Sequence, residues 1–202
     1  GTLANSAGSG RLDGRLTLRG ASTLSSAGSG LTLNGVIDQA AAGTGLTTQG
    51  SITLTAAGSY TGDTRIASGT LTLSGAQARA GLGRLLVGAQ RLVLDQGASV
   101  ATAVQLDAGG TLANTAGTGT IAEAGSLQLG GTARLQVGGD GLTLRGAVAE
   151  AAGAPASGLV IDGGGTVTLQ AAGTYRGDTV VDSGRLVLRG AAAAPGRGSL
   201  LL

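Results

Sequence analysis

The chain has 202 residues, 41 of them glycine, with aromatic residues at 1% and no Phe, Trp, Met, Cys or His. A core filled by large aromatic rings is thereby excluded, and so are disulfide bracing and any chemistry that needs an imidazole or a thiol. All 13 basic residues are arginine, and a net charge of only +2 lacks the field of a dedicated nucleic-acid binder.

In chain order, short alternating segments bounded by glycine predict strands. The first half gives RLTLR (15–19), LTLN (31–34), SITLT (51–55), TLTLS (70–74) and RLVLD (91–95). The second half gives SLQLG (126–130), RLQVG (134–138), LTLRG (142–146), TVTLQ (166–170) and RLVLR (185–189). Period-two alternation aims Leu or Val to one face and Thr, Arg or Gln to the other. Gly, Asn, Asp and Ser at the ends supply turns. AVAEAAGAPA (147–156), broken by Gly153 and Pro155, reads as a loop protruding from a coil. No apolar run approaches the ~18 residues of a membrane-spanning helix. With hydrophobic residues at 42%, the chain is also too apolar for Gly/Ser-rich disorder.

The chain repeats itself. GTLANSAGSG (1–10) returns as GTLANTAGTG (110–119). SITLTAAGSYTGDTRIASGTLTLSGA (51–76) returns as TVTLQAAGTYRGDTVVDSGRLVLRGA (166–191). Both tyrosines, Tyr60 and Tyr175, fall at equivalent points of the longer pair. A duplicated long unit with shorter strand-and-turn repeats inside it predicts an elongated array. Two units, 1–109 and 110–202, are expected to share one continuous core, and the chain reads as a piece of something longer. A thin core of Leu, Val, Ile and Ala requires closely spaced strands, which stacked coils provide. A strand repeat of roughly 15–21 residues predicts an all-β, right-handed parallel β-helix, a β-solenoid with two or three strands per turn. About ten coils stacked at about 4.8 Å would make a rod near 50 Å long. A β-sandwich would need two-residue hairpin turns, and Asn34-Gly35 is the one such signal.

The two segments around the tyrosines, AAGSYTGDTRIASGTLTLSGA (56–76) and AAGTYRGDTVVDSGRLVLRGA (171–191), resemble the passenger-associated transport repeat of bacterial autotransporters. In the first copy Leu54, Gly58, Tyr60, Gly62, Thr64, Gly69, Leu71 and Leu73 fall on the repeat's pattern. In the second, Leu169, Gly173, Tyr175, Gly177, Thr179, Gly184, Leu186 and Leu188 do so. The usual Asn before the tyrosine is Ser59 or Thr174, and a frequent second glycine is Asp63 or Asp178. The resemblance implies a passenger secreted through an outer-membrane translocator barrel and displayed at the cell surface or released. It implies repeats that aid the passenger's export and folding, and an adhesin-like role toward host or bacterial surface glycans or proteins.

The Tyr-x-Gly-Asp-Thr segments are the most distinctive local sites. Their carboxylates, Asp63 and Asp178, suit either turn chemistry or a sugar hydroxyl or cation, and the turn is the favoured reading. Alternation aims eight arginines outward. Of these, Arg15, Arg19, Arg185 and Arg189 are the candidate glycan contacts, against the plainer reading as solubilising charges. Outward Thr53, Thr55, Thr70 and Thr72 resemble the rows of ice-binding solenoids, but other coils place Arg, Gln and Val there. GGDGLTL (138–144) supplies one carboxylate where calcium needs six or more oxygens. Asp178, Asp182 and Arg176 are the residues a polysaccharide-cleaving site would use; two of them have no counterpart in the first copy. The expected function is a structural and adhesive stalk, non-enzymatic and without cofactor or metal. Two-partner-secreted haemagglutinin-like exoproteins and β-helix polysaccharide-degrading enzymes are the alternatives. Exposed end coils predict end-to-end association of the isolated segment.

Overall fold

A computed structural model describes all residues, 1–202, and contains strands and turns with no helix. Every strand pairing is parallel. The chain winds as a β-solenoid of about ten turns with three faces. The first turn holds β1 (Thr2–Asn5), β2 (Ser9–Leu12) and β3 (Leu16–Leu18), one per face. In the next three turns the first two faces merge into long strands. The second turn holds β4 (Ser22–Leu33) and β5 (Ile37–Gln39); the third and fourth hold β6 (Leu46–Leu54) and β7 (Thr64–Ser74). The fifth has β8 (Leu85–Gly88), β9 (Arg91–Asp95) and β10 (Ala98–Val100). The sixth has β11 (Ala103–Asp107), β12 (Thr111–Asn114) and β13 (Thr118–Ile121). The seventh has β14 (Ser126–Gly130), β15 (Ala133–Val137) and β16 (Gly141–Leu144). The eighth has β17 (Ala147–Glu150), β18 (Leu159–Asp162) and β19 (Thr166–Leu169). β20 (Thr179–Val181), β21 (Arg185–Leu188) and β22 (Leu200–Leu201) complete the stack.

Register follows from alternation. On the second face Leu31, Ile52, Leu71, Leu92, Leu112, Leu135 and Ile161 stack one above another across seven turns. Because the side-chain period is two, any slip by one residue would turn this whole ladder to solvent. The ladders meet in a single core of 37 buried residues. Apart from the two tyrosines, its members are all Leu, Ile, Val and Ala. The ladders run past residues 109 and 110 without interruption, through β9, β12 and β15.

Two local readings change. The segment 147–156 does not start as a loop: its first four residues form β17, paired with β14, and only from Ala151 does the chain leave the coil. Val148 is buried there, so a single inward aliphatic residue suffices to pin the strand. Asn34-Gly35 makes no hairpin. It turns the corner from β4 to β5, with the Asn34 N–H bonded to the Leu12 carbonyl of the turn before.

The duplicated segments are not superposed around the axis. From β1, five full turns lead to β11, whereas the sequence equivalent of Leu3 is Leu112, on the next strand, β12. From Ile52, five turns lead to Ile161 on β18, whereas its equivalent Val167 lies one strand further, on β19. The long repeat therefore spans five turns and one face, and its second copy is rotated by a third of a turn.

Candidate functional site

Each tyrosine sits where the chain leaves one face for the next. Tyr60 lies between the third and first faces, Tyr175 between the first and second, and both rings are fully buried. Burial takes the place of a strand here: the residues just before each tyrosine make only isolated bridges, Ala57 with Arg79 and Ala172 with Ala194.

The corner is built from groups of two successive turns. The Thr64 hydroxyl donates to the Ala80 carbonyl at 2.9 Å, so the Tyr60 hydroxyl donates to Thr64 Oγ1, at 2.6 Å. Thr179 donates to the Pro195 carbonyl at 2.6 Å, and Tyr175 to Thr179 Oγ1 at 2.6 Å. Burial drives both phenols above their ordinary pKa of 10.0, Tyr175 to about 12, against the small opposing pull of the threonine bond. Asp63 accepts from the Arg84 N–H at 2.9 Å and its guanidinium at 3.1 Å. Asp178 accepts from the Ser199 N–H at 2.8 Å. Gly62 and Gly177 pass so close to the preceding turn that a Cβ would stand 2.5 Å from the carbonyl of Thr44 or Ser157. Gly69 and Gly184 likewise crowd the carbonyls of Gly50 and Gly165.

The ring of Tyr60 is covered by Gly81 of the following turn, where a Cβ would stand 2.5 Å from the ring; Gly196 covers Tyr175 at the same distance. These covering glycines were not among the residues the sequence singled out. The signal was present: the offset of 115 that pairs the tyrosines also pairs Gly81 with Gly196 and Gly83 with Gly198.

The arginine candidates do not converge. All four belong to the third face, but Arg15 and Arg19 flank β3 in the first turn, while Arg185 is the first residue of β21 and Arg189 follows that strand, in the ninth. Arg15 is ion-paired with Asp38 at 3.0 Å. The residues a glycan-cleaving site would need are also kept apart. Asp178 precedes β20 and Asp182 follows it, while Arg176 is paired with Glu150 at 2.7 Å. Hydrogen bonds from Ser157 and Arg176 hold the Glu150 carboxyl below its ordinary value. The outward threonines Thr32, Thr53 and Thr72 stand in register, and the row ends at Val93.

No curated protein and no solved structure matches the chain. The family model of the passenger-associated-transport-repeat matches it twice, at residues 49–78 and 159–188. Each match contains one of the two tyrosines, so the chain carries two copies of the passenger-associated transport repeat, the repeat of bacterial autotransporter passengers.

Proposed function

We propose that this solenoid is a stalk within a secreted or surface-displayed passenger, and that its tyrosine corners assist its folding during export and so support adhesion. The observation that carries this reading is where the partners of each corner lie. The Thr64 hydroxyl, the Asp63 carboxylate and the Tyr60 ring all find their partners in the turn that follows, at Ala80, Arg84 and Gly81. The second corner does the same with Pro195, Ser199 and Gly196. Until that turn docks, a large apolar ring and two polar groups remain unsatisfied, so each corner favours addition of its neighbour over an open end. In a solenoid, where each turn touches only its neighbours, such local locks set where growth is hardest to reverse. A chain emerging through an outer-membrane barrel would gain from locks that discourage backsliding.

The test is a Tyr60→Ala/Tyr175→Ala passenger compared with the native one on the same cells, scoring displayed copies and adhesion per displayed copy. Display should fall while adhesion per copy holds. Unchanged display with lower adhesion would overturn the export role. Deleting residues 1–202 in frame gives the limiting case.

A further inference from the structure

The five-stranded sheet β10–β13–β16–β19–β21 is the one sheet with no carboxylate in its strands. The large sheet carries Asp95, Asp107, Glu150 and Asp162, and the β3–β5 pair carries Asp38. Along the middle of the acid-free sheet, Ser99, Thr120, Thr143 and Thr168 stand in register on four successive turns. None of these four hydroxyls takes part in an intramolecular hydrogen bond, unlike Thr55, Thr61 and Thr64 elsewhere.

Arginines flank this row on both sides. Just past the strand ends Arg145, Gln170 and Arg189 are stacked: the Gln170 N–H bonds the Leu144 carbonyl at 2.8 Å, and the Arg189 N–H bonds Leu169 at 2.9 Å. At the other edge Arg185 stands beside Thr166. Arg145, Arg185 and Arg189 are exposed, and the molecule's ion pairs are made by other arginines. Glu123, Asp140 and Asp182 lie on the corners outside the strands and pair with none of the three.

We propose that this sheet binds an acidic linear polysaccharide laid along the solenoid axis. The unpaired guanidiniums take its carboxylate or sulfate groups, and the hydroxyl row takes its sugar hydroxyls. Arg145 and Arg189 are two strand spacings apart, about 9–10 Å, with neutral hydrogen-bonding groups between them. That alternation of charge and hydroxyl suits a charged sugar polymer. A phosphate backbone, with its denser charge, would call for a more cationic surface than a net charge of +2 provides. Guanidinium binds carboxylate and sulfate in a planar, two-pronged geometry, which favours these anions over mere attraction. Arg15 and Arg19 are outside this site, separated by turns in which the third face carries Asp38 or only isolated bridges.

The proposal rests on the passenger reading for access to such a polymer outside the cell, while binding by the purified chain is independent of it. The experiment measures heparin binding by the 202-residue chain against neutral dextran and duplex DNA. The native chain should bind heparin, and dextran and DNA much less. R145Q/R185Q/R189Q should weaken heparin binding by about tenfold or more and flatten its salt dependence, since three charge-assisted contacts are lost. R11Q/R65Q/R197Q removes the same charge elsewhere and should change affinity by less than about threefold. Thr143→Val/Thr168→Val should weaken binding with the salt dependence unchanged. Equal losses in the two arginine triples, DNA binding as tight as heparin binding, or no heparin binding by the native chain would each overturn the site. Display of the parent passenger carrying R145Q/R185Q/R189Q separates the two readings: a failed glycan site leaves display intact, whereas a failed export role shows in the tyrosine variants.

Discussion

At the scale of single residues, the tyrosine corner couples one large ring to one missing side chain. Gly81 has φ near +76°, and a Cβ on it would also strike the Tyr60 ring. Gly43 has nearly the same φ, +77°, with open space where its Cβ would go. Comparing the two isolates the clash. Gly43→Ala should cost about 1–2 kcal/mol from backbone strain alone, whereas Gly81→Ala should cost clearly more, near the 3–5 kcal/mol of removing a buried ring. Urea unfolding of the two variants decides it, and equal costs would show that the ring yields freely. The phenols also set an alkaline limit. Both pKa values are raised on folding, so their contribution is complete below pH 10 and is lost as pH climbs toward 12 and beyond. Urea midpoints of the native chain should drop between pH 10 and 12, and Tyr60→Phe/Tyr175→Phe should remove most of that drop.

Among the elements, β6 contains one side chain that contradicts its position. Thr48 is fully buried on the ladder between Leu24 and Ile66, and its hydroxyl has no partner. Every other turn nearby presents an aliphatic residue at this level. Thr48→Val keeps the shape and removes an unsatisfied polar atom, so it should raise stability by about 1 kcal/mol. A lower urea midpoint for Thr48→Val would mean that a bond to the hydroxyl matters after all. β9 is the contrasting case. Its buried Asp95 accepts from the Thr115 and Ala116 N–H groups, at 2.6 and 3.1 Å, and thereby caps the corner of the next turn. A buried carboxylate on the outward side of a strand is tolerated where the backbone of the neighbouring coil meets it.

For the molecule as a whole, the stack is open at its last turn. Leu188, Leu200 and Leu201 are 43–49% exposed, on strands with one unpaired edge. Parallel strands with free edges and apolar side chains invite a further strand. The isolated 202-residue chain should therefore show concentration-dependent association in sedimentation velocity, and Leu188→Lys/Leu201→Lys should return it to monomer. A native chain that stays monomeric at high concentration would show that its edges are already protected. The third-of-a-turn rotation between the two long repeats also belongs to this scale. It directs the two tyrosine corners, and the surfaces beside them, to different sides of the rod, so duplication spreads a corner around the axis.

The sequence by itself determined that its ten alternating segments are strands, which way their side chains alternate, and the identity of the repeat. Those depend on local pattern: period-two side chains and glycine-bounded turns within each segment, as in TLTLS (70–74) and its counterpart RLVLR (185–189). Only the tertiary structure decided which turn covers Tyr60, that 147–150 is a strand, and that Arg185 and Arg189 share a face with Arg145 while Arg15 and Arg19 stand eight turns away. The reason is that these facts depend on how many residues each turn consumes. Paired positions lie anywhere from 18 residues apart (Thr48 and Ile66) to 26 (Leu135 and Ile161), so small differences in corner length accumulate along the axis. No single segment records that sum. Stacking does, because hydrogen bonding between successive turns fixes where each face begins.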